Sequence, residues 1–416
     1  MNNQPDTTRM VDHLFRHEAG KMVAVLANWL GLHNLQLAED TVQDAFVQAL
    51  QYWRIHGLPE NPEAWLLRTA RNKAIDMLRR KKVQGRISGA SATYREPDTD
   101  VFFHPQEISD SQLRMIFACC HTALKQEDQV ALTLKIVSAF SMPEIARALL
   151  TTEAVVQKRI SRAKAFLRDN NIELAIPAGA ELQQRLDTVY TVLYLLFNEG
   201  YNSIKADELI RRDLCAEAMR CCKLLTEHAL VKQPVTDALL ALMCLHAARF
   251  ESRINSNNDI ILLREQDRSR WDHELVRVGF RYLNSSSDGE QLSAYHIEAA
   301  IAAEHCLAAD FDRTNWPRML DLYDLLLVVK PAPVIRLNRA VVLAETGETA
   351  AAIAAILAIP GIDHLLRSDH IYSAVLGNLY TRLSNALAAK EYLLLAHQLT
   401  PSMAEKKLLQ LSIGRL

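Results

Sequence analysis

Apolar residues recur at helical spacing along almost the whole chain, and no run of alternating β-branched residues bounded by turn residues marks a strand. Helical periodicity runs through Leu14 to Leu30 and Leu37 to Trp53. It breaks at His56-Gly57-Leu58-Pro59-Glu60-Asn61-Pro62 and resumes from Glu63 to about Lys82. There Leu67, Ala70, Ala74 and Leu78 form one stripe, and Arg68, Asn72, Asp76 and Arg79 share the opposite face. Val83 to Glu107 loses the period, gathers Gly85, Ser88, Gly89, Ser91, Pro97 and Pro105, and reads as a linker. A second helical unit covers 109–170. From about Pro177 the chain is helical again, with breaks at Lys232-Gln233-Pro234, Ser285 to Gly289 and Lys330-Pro331-Ala332-Pro333. The pattern predicts an all-α protein: small helical domains at 9–82 and 109–170, a flexible linker at 83–108, a large helical domain at 178–330, and further helices at 333–416.

The last stretch hints at a repeat. Asn338 to Glu345, the turn Thr346-Gly347-Glu348 and the helix Ala350 to Leu357 are echoed by Tyr372 to Leu383, Ser384-Asn385 and Ala386 to Leu399, closing at Thr400-Pro401. The two turns lie about 38 residues apart, against the ~34 of tetratricopeptide repeats, so these hairpins are tetratricopeptide-like.

Composition supports helix: 49% of the 416 residues are hydrophobic, with only 13 Gly and 13 Pro. The seven cysteines are odd in number and lack any C-x-x-C. Vicinal Cys119-Cys120 and Cys221-Cys222 lie in apolar helical patterns, as expected of buried reduced thiols in a cytosolic protein. The amino terminus is polar, and the longest apolar stretches fall short of the ~20 residues that span a bilayer, so no membrane association and a cytoplasmic location are expected.

The net charge of −2 conceals a strong asymmetry. Ala64 to Arg86 is basic, as is the run Lys158, Arg159, Arg162, Lys164, Arg168; between them lie Glu96, Asp98, Asp100, Glu107 and Asp110. The second basic run belongs to the sharpest local motif. Ser141-Met142-Pro143-Glu144 is a capping box opening a short helix to Leu149; Leu150-Thr151-Thr152 is a turn ending in an N-cap Thr; a second helix runs from Glu153 to about Arg168. Val156, Ile160, Ala163 and Leu167 face inward, and Gln157, Lys158, Ser161, Lys164 and Arg168 outward. This describes a helix-turn-helix, whose early recognition-helix residues meet base edges and whose later cations meet phosphates. A plain helical hairpin with a solvated charged face has the same local pattern; the second basic helix upstream is what favours DNA.

That upstream helix, Ala64-Trp65-Leu66-Leu67-Arg68-Thr69-Ala70-Arg71-Asn72-Lys73-Ala74-Ile75-Asp76-Met77-Leu78-Arg79-Arg80, resembles the −10-reading, promoter-melting helix of extracytoplasmic-function sigma factors of the sigma-70 family. Thr69 stands where Ile is usual. Ala38-Glu39-Asp40-Thr41-Val42-Gln43-Asp44-Ala45-Phe46 is similar to the family segment that docks on the clamp helices of the polymerase large subunit. The resemblance implies two sigma domains, region 2 and a helix-turn-helix region 4. Core RNA polymerase would be bound through Asp40, Gln43 and Asp44. The promoter −10 element would be read by Asn61, Arg68, Arg71, Asn72, Lys73, Arg79 and Arg80. The −35 element would be read by Thr152, Glu153, Gln157, Lys158, Arg159, Ser161, Arg162, Lys164 and Arg168. Trp53 and Trp65 are expected in the core.

Residues beyond about 180 resemble the long helical extension of one subgroup, through Phe197-Asn198-Glu199-Gly200-Tyr201, Arg212 to Ala218, Leu239 to Arg249, Glu265 to Asp272, Ala299 to His305 and Leu337-Asn338-Arg339-Ala340. Ala247 and Glu304 depart from it. The resemblance implies regulation in cis, and a small YCII-related protein as a possible partner. The alternation of acids and arginines over Glu265 to Asp272 reads as an ion-pair network holding helices in register, with a ligand pocket as the competing reading. His296 and His305 are too far apart in sequence for a single-face metal pair. No catalytic motif, metal site or cofactor loop is found, so no enzyme activity and no cofactor are expected. The competing function is a helix-turn-helix transcription regulator with a helical sensor domain, acting without polymerase.

Overall fold

The computed structural model describes residues 4–87, 104–149, 151–201, 210–255, 259–289 and 291–416. Twenty α-helices run through them, with no strand among the described residues beyond one isolated bridge, Ile254 to Ile260. The chain divides into two compact units, 1–196 and 197–416.

The first unit contains α1 (Gln4–Leu30), α2 (Leu35–His56), α3 (Pro62–Ile87), α4 (Pro105–Cys119), α5 (Gln126–Ile136), α6 (Met142–Ala148), α7 (Glu153–Asp169) and most of α8 (Gly179–Tyr201). The α3 helix runs five residues past the expected stop at Lys82, and α4 opens at Pro105, where a proline at the first turn loses no helical hydrogen bond. The expected linker residues 88–103 lie outside the described residues, with the acids Glu96, Asp98 and Asp100. Buried Leu14, Val23, Leu26, Ala38, Val42, Phe46, Ala49 and Trp53 close α1 on α2, and Leu66, Ala70 and Ala74 lay α3 against them. The second basic region joins this core directly, because α1 also packs on α4 and α5. Gly20 makes that approach close: a Cβ there would lie 2.0 Å from the Val137 carbonyl oxygen.

The second unit continues with α9 (Arg212–Glu227), α10 (Pro234–Ala247), α11 (Phe250–Arg253), α12 (His273–Ser285), α13 (Ala294–Leu307), α14 (Trp316–Val329), α15 (Pro333–Glu345), α16 (Thr349–Leu357), α17 (Ile362–Ser368), α18 (His370–Arg382), α19 (Ala386–Leu399) and α20 (Met403–Ile413). The α10 helix is apolar on every side and is buried almost throughout, because α9, α12 and α13 all pack on it. From α13 onward each long helix packs on the next. All seven cysteines are reduced, and burial pushes Cys120, Cys215 and Cys244 up to about 12. No single helix among the described residues is long and apolar enough to cross a membrane.

The α15/α16 and α18/α19 hairpins turn alike. In the first, Glu348 N–H donates to Leu343 O and Gly347 N–H to Ala344 O; in the second, Asn385 N–H donates to Tyr380 O and Ser384 N–H to Thr381 O. Both are Schellman caps, which need one residue in the left-handed region. Gly347 supplies it at φ 98°, whereas Ser384 adopts φ 57° with a side chain. Ser384→Gly is therefore expected to stabilise the protein by about 0.5–1 kcal/mol, read from the urea midpoint. An unchanged or lower midpoint contradicts this.

Candidate nucleic-acid and polymerase interface

Apart from Leu150 of the turn, which lies outside the described residues, the helix-turn-helix forms as its sequence dictates. Ser141 N–H donates to Glu144 Oε2 at 2.8 Å, and Glu144 N–H returns to Ser141 Oγ at 3.4 Å, closing the capping box. Burial among these bonds matters less than their sum with Arg16, and the Glu144 carboxyl sits below its usual range. Thr152 Oγ1 accepts from Val155 N–H and opens α7. The recognition helix then turns Val156, Ile160, Ala163 and Leu167 into the core. On the other side Thr152, Glu153, Gln157, Lys158, Ser161 and Arg168 are exposed and Arg159 is half-buried.

Arg168 pairs on the surface with its neighbour Asp169 at 2.8 Å, and two further cations of α7 have partners on other helices. Asp128, only 2% exposed, takes both Arg162 Nε (2.7 Å) and Arg162 Nη2, a bidentate pair that holds the guanidinium above its usual range. Lys164 donates to Gln36 Oε1 at 3.1 Å and pairs with Glu39, which is 5% exposed. Glu39 belongs to α2, so this pair links the recognition helix to the segment expected to meet polymerase. Arg16 of α1 pairs with Glu144 of α6 across the same junction. Lys135 is half-buried within reach of the Glu39, Lys164 and Glu144 charges, and desolvation lowers its pKa.

On α2, Asp40, Gln43 and Asp44 are all exposed and lie on one stretch of surface. Asp40 accepts from Gln36, and Asp44 pairs with Lys73 of α3 at 3.4 Å. The α3 helix begins at an Asn61 cap, whose Oδ1 accepts from Ala64 N–H at 2.9 Å. Arg68, Asn72 and Arg79 are exposed along it, while Arg71 and Lys73 are half-buried. The Arg80 side chain lies outside the described residues.

Trp53 is fully buried, whereas Trp65 is only half-buried and sits edge-on to it at 5.3 Å. The Trp65 ring also stacks on Tyr52 at 5.7 Å, and Tyr52 stacks on His56 at 4.1 Å. Tyr52 is 45% exposed. This aromatic ladder at the start of the basic helix has the flat, sequence-tolerant faces on which unpaired bases stack. The Tyr52-x-x-x-His56 spacing, one helical turn, is the sequence signal for this stack.

In the second unit the alternating segment does not close on itself. Asp267 accepts from Ser269 and Asp272 from Leu275 N–H, so both acids act as caps. Arg264 pairs instead with Asp312 and Glu345, far along the chain, and Arg268 donates to the carbonyls of His305 and Ala308. His296 takes a structural role, forming a capping box with Ser293 and meeting Ser286 O.

Comparison with known proteins adds three regional matches. Residues 14–83 match "Sigma-70 region 2", residues 114–167 match "Sigma-70, region 4", and residues 185–287 match a "Family of unknown function (DUF6596)". A protein of Rhizobium meliloti (strain 1021), described as uncharacterized, is 32% identical over 387 residues, which is 92% of this chain and 90% of the relative. No solved structure is significantly similar.

Proposed function

Because the chain belongs to the extracytoplasmic-function sigma factors of the sigma-70 family, in a form carrying a long helical extension, we propose specific roles for its surfaces in promoter recognition and for its extension in control. Sigma factors of this family bind core RNA polymerase and promoter DNA to initiate transcription. Here Asp40, Gln43 and Asp44 contact the clamp helices. Asn61 and the exposed face of α3 take the −10 element, with Tyr52 and Trp65 bracing unstacked bases. The α7 helix takes the −35 element, Glu153, Gln157 and Lys158 toward base edges and Arg159 and Arg168 toward phosphates. The exposed Gln157, Lys158 and Ser161 on a correctly capped recognition helix are the observation that carries this reading.

Run-off transcription with purified core enzyme on genomic fragments tests it. Start sites are expected only with both components present, and Lys158→Glu is expected to lower specific transcripts about tenfold or more. Tight operator binding by the chain alone, with no start sites on adding core enzyme, would instead favour a polymerase-independent regulator.

The extension acts in cis on the sigma regions. Arg185 of α8 donates to Phe117 O inside the first unit, so the truncation that tests this ends near Leu196 rather than directly after α7. Transcription by residues 1–196 equal to that of the full chain sinks the regulatory reading. A small YCII-related protein is the partner proposed for the extension, and co-purification of the two decides that point.

A further inference from the structure

Arg249 follows α10 and is only 8% exposed. Its Nε and Nη2 share one neutral acceptor, Gln266 Oε1, each at 3.4 Å. A guanidinium carries five donors, and a buried one without a counter-charge is costly. Arg268 is nearby: the two guanidinium carbons lie 5.3 and 5.0 Å from the Trp271 ring centroid, so they are no farther apart than those distances together. Arg268 meets the carbonyls of His305 and Ala308 and the Thr314 hydroxyl, again all neutral. Asp310 is the acid whose charge reaches Arg268, but it is half-exposed and pairs with Arg313 at 3.4 Å.

Stacking on an indole stabilises a guanidinium without neutralising it. Around the two cations, buried polar atoms also lack partners among the described residues: Trp271 Nε1, with Trp271 4% exposed, and His305 Nδ1, either donor or acceptor by tautomer. The charges of both arginines bear on His305 and on the Cys306 thiol. Among the described residues neither the buried Arg249 nor the half-buried Arg268 is paired with an acid, and with an indole N–H and an imidazole nitrogen they match one chemical complement, a compact anion with several acceptor oxygens.

We propose that Arg249, Arg268, Trp271 and His305 form a binding site in the second unit for a small-molecule oxoanion, a carboxylate or a phosphoryl group. The bidentate donors of two arginines would take its oxygens and Trp271 Nε1 would supply a further bond. The site stands whether or not the extension regulates transcription, because its test reads binding alone.

The full-length protein, labelled with 15N, is titrated with inorganic phosphate and, separately, with succinate at fixed ionic strength. The Trp271 indole signal is assigned by its loss in Trp271→Phe. Saturable movement of that signal by either anion is expected, with a rise in unfolding temperature; the anion that acts tells phosphoryl from carboxylate recognition. Arg249→Gln and Arg268→Gln should each weaken the response at least tenfold. Because Arg268 also holds two carbonyls, its variant could fail to fold, in which case wild type and Arg249→Gln decide the matter. No movement with either anion in the wild type, or wild-type titration in Arg249→Gln, overturns the proposal. The same holds if only an acidic protein partner moves the signal.

Discussion

Gly20→Ala is expected to destabilise the first unit by about 3 kcal/mol, although alanine is the better helix former by about 1 kcal/mol. A Cβ at position 20 would lie 2.0 Å from Val137 O, 2.7 Å from its carbonyl carbon and 3.3 Å from Ile136 O. All three are backbone atoms, so no side chain can swing aside, and α1 and α5 must part. The Arg16–Glu144 and Lys164–Glu39 pairs flank that contact and would part with it. For a unit of this size, calorimetry should show a transition lower by about 6–12 °C. Gly414→Ala is the control: its nearest neighbour is the Gln410 carbonyl at an ordinary 3.5 Å. An unchanged transition in Gly20→Ala rules out the close approach.

Stability of the second unit should depend on pH through two opposing sets of groups. Burial first, and the Arg249 charge second, lower His246 and His305 from 6.5 to about 3. The unfolded chain then binds protons that the folded chain does not, so stability falls as pH drops below 6.5 and is lost through about 3. At about pH 5 this costs roughly 1–2 kcal/mol per histidine. Glu199 behaves oppositely. Burial raises it from 4.5 to about 7 against the attraction of Arg211. Its contribution is complete below 4.5 and disappears as pH rises through 7, about 1 kcal/mol after allowance for its partial exposure. The unfolding temperature should climb from about pH 5 to 6.5, less steeply in His246→Gln, and Glu199→Gln should exceed wild type at about pH 8. Superimposable pH profiles for wild type and His246→Gln would falsify the assignment.

Much of the fold was legible because its signals are local. Ser141 and Glu144 specify a capping box within four residues, and the Val156, Ile160, Ala163, Leu167 stripe fixes which side of α7 is core. The polar partners were not legible, because they come from distant sequence. Arg162 looks solvent-facing by period, but Asp128 reaches it from α5; Lys164 is claimed by Glu39 from α2. The acids and arginines of 265–272 suggested mutual pairing, yet local geometry turned Asp267 and Asp272 into caps and left the arginines to partners dozens of residues away. Trp65 fell short of full burial because its other neighbour, Tyr52, is a surface residue.

The two internal pairs of α7 also bear on how the helix would sense salt. Its five cations would, if all met phosphates, displace counterions enough for a slope of about −4.5 in log affinity against log salt. With Arg162 held by the buried Asp128 and Lys164 by the buried Glu39, only Lys158, Arg159 and Arg168 remain, the last paired just with its equally exposed neighbour Asp169, and the slope contributed by this helix falls to about −2.7. The recognition helix thus has a smaller electrostatic footprint than its composition suggests, and a correspondingly larger share of its grip falls to the neutral groups that distinguish one promoter from another.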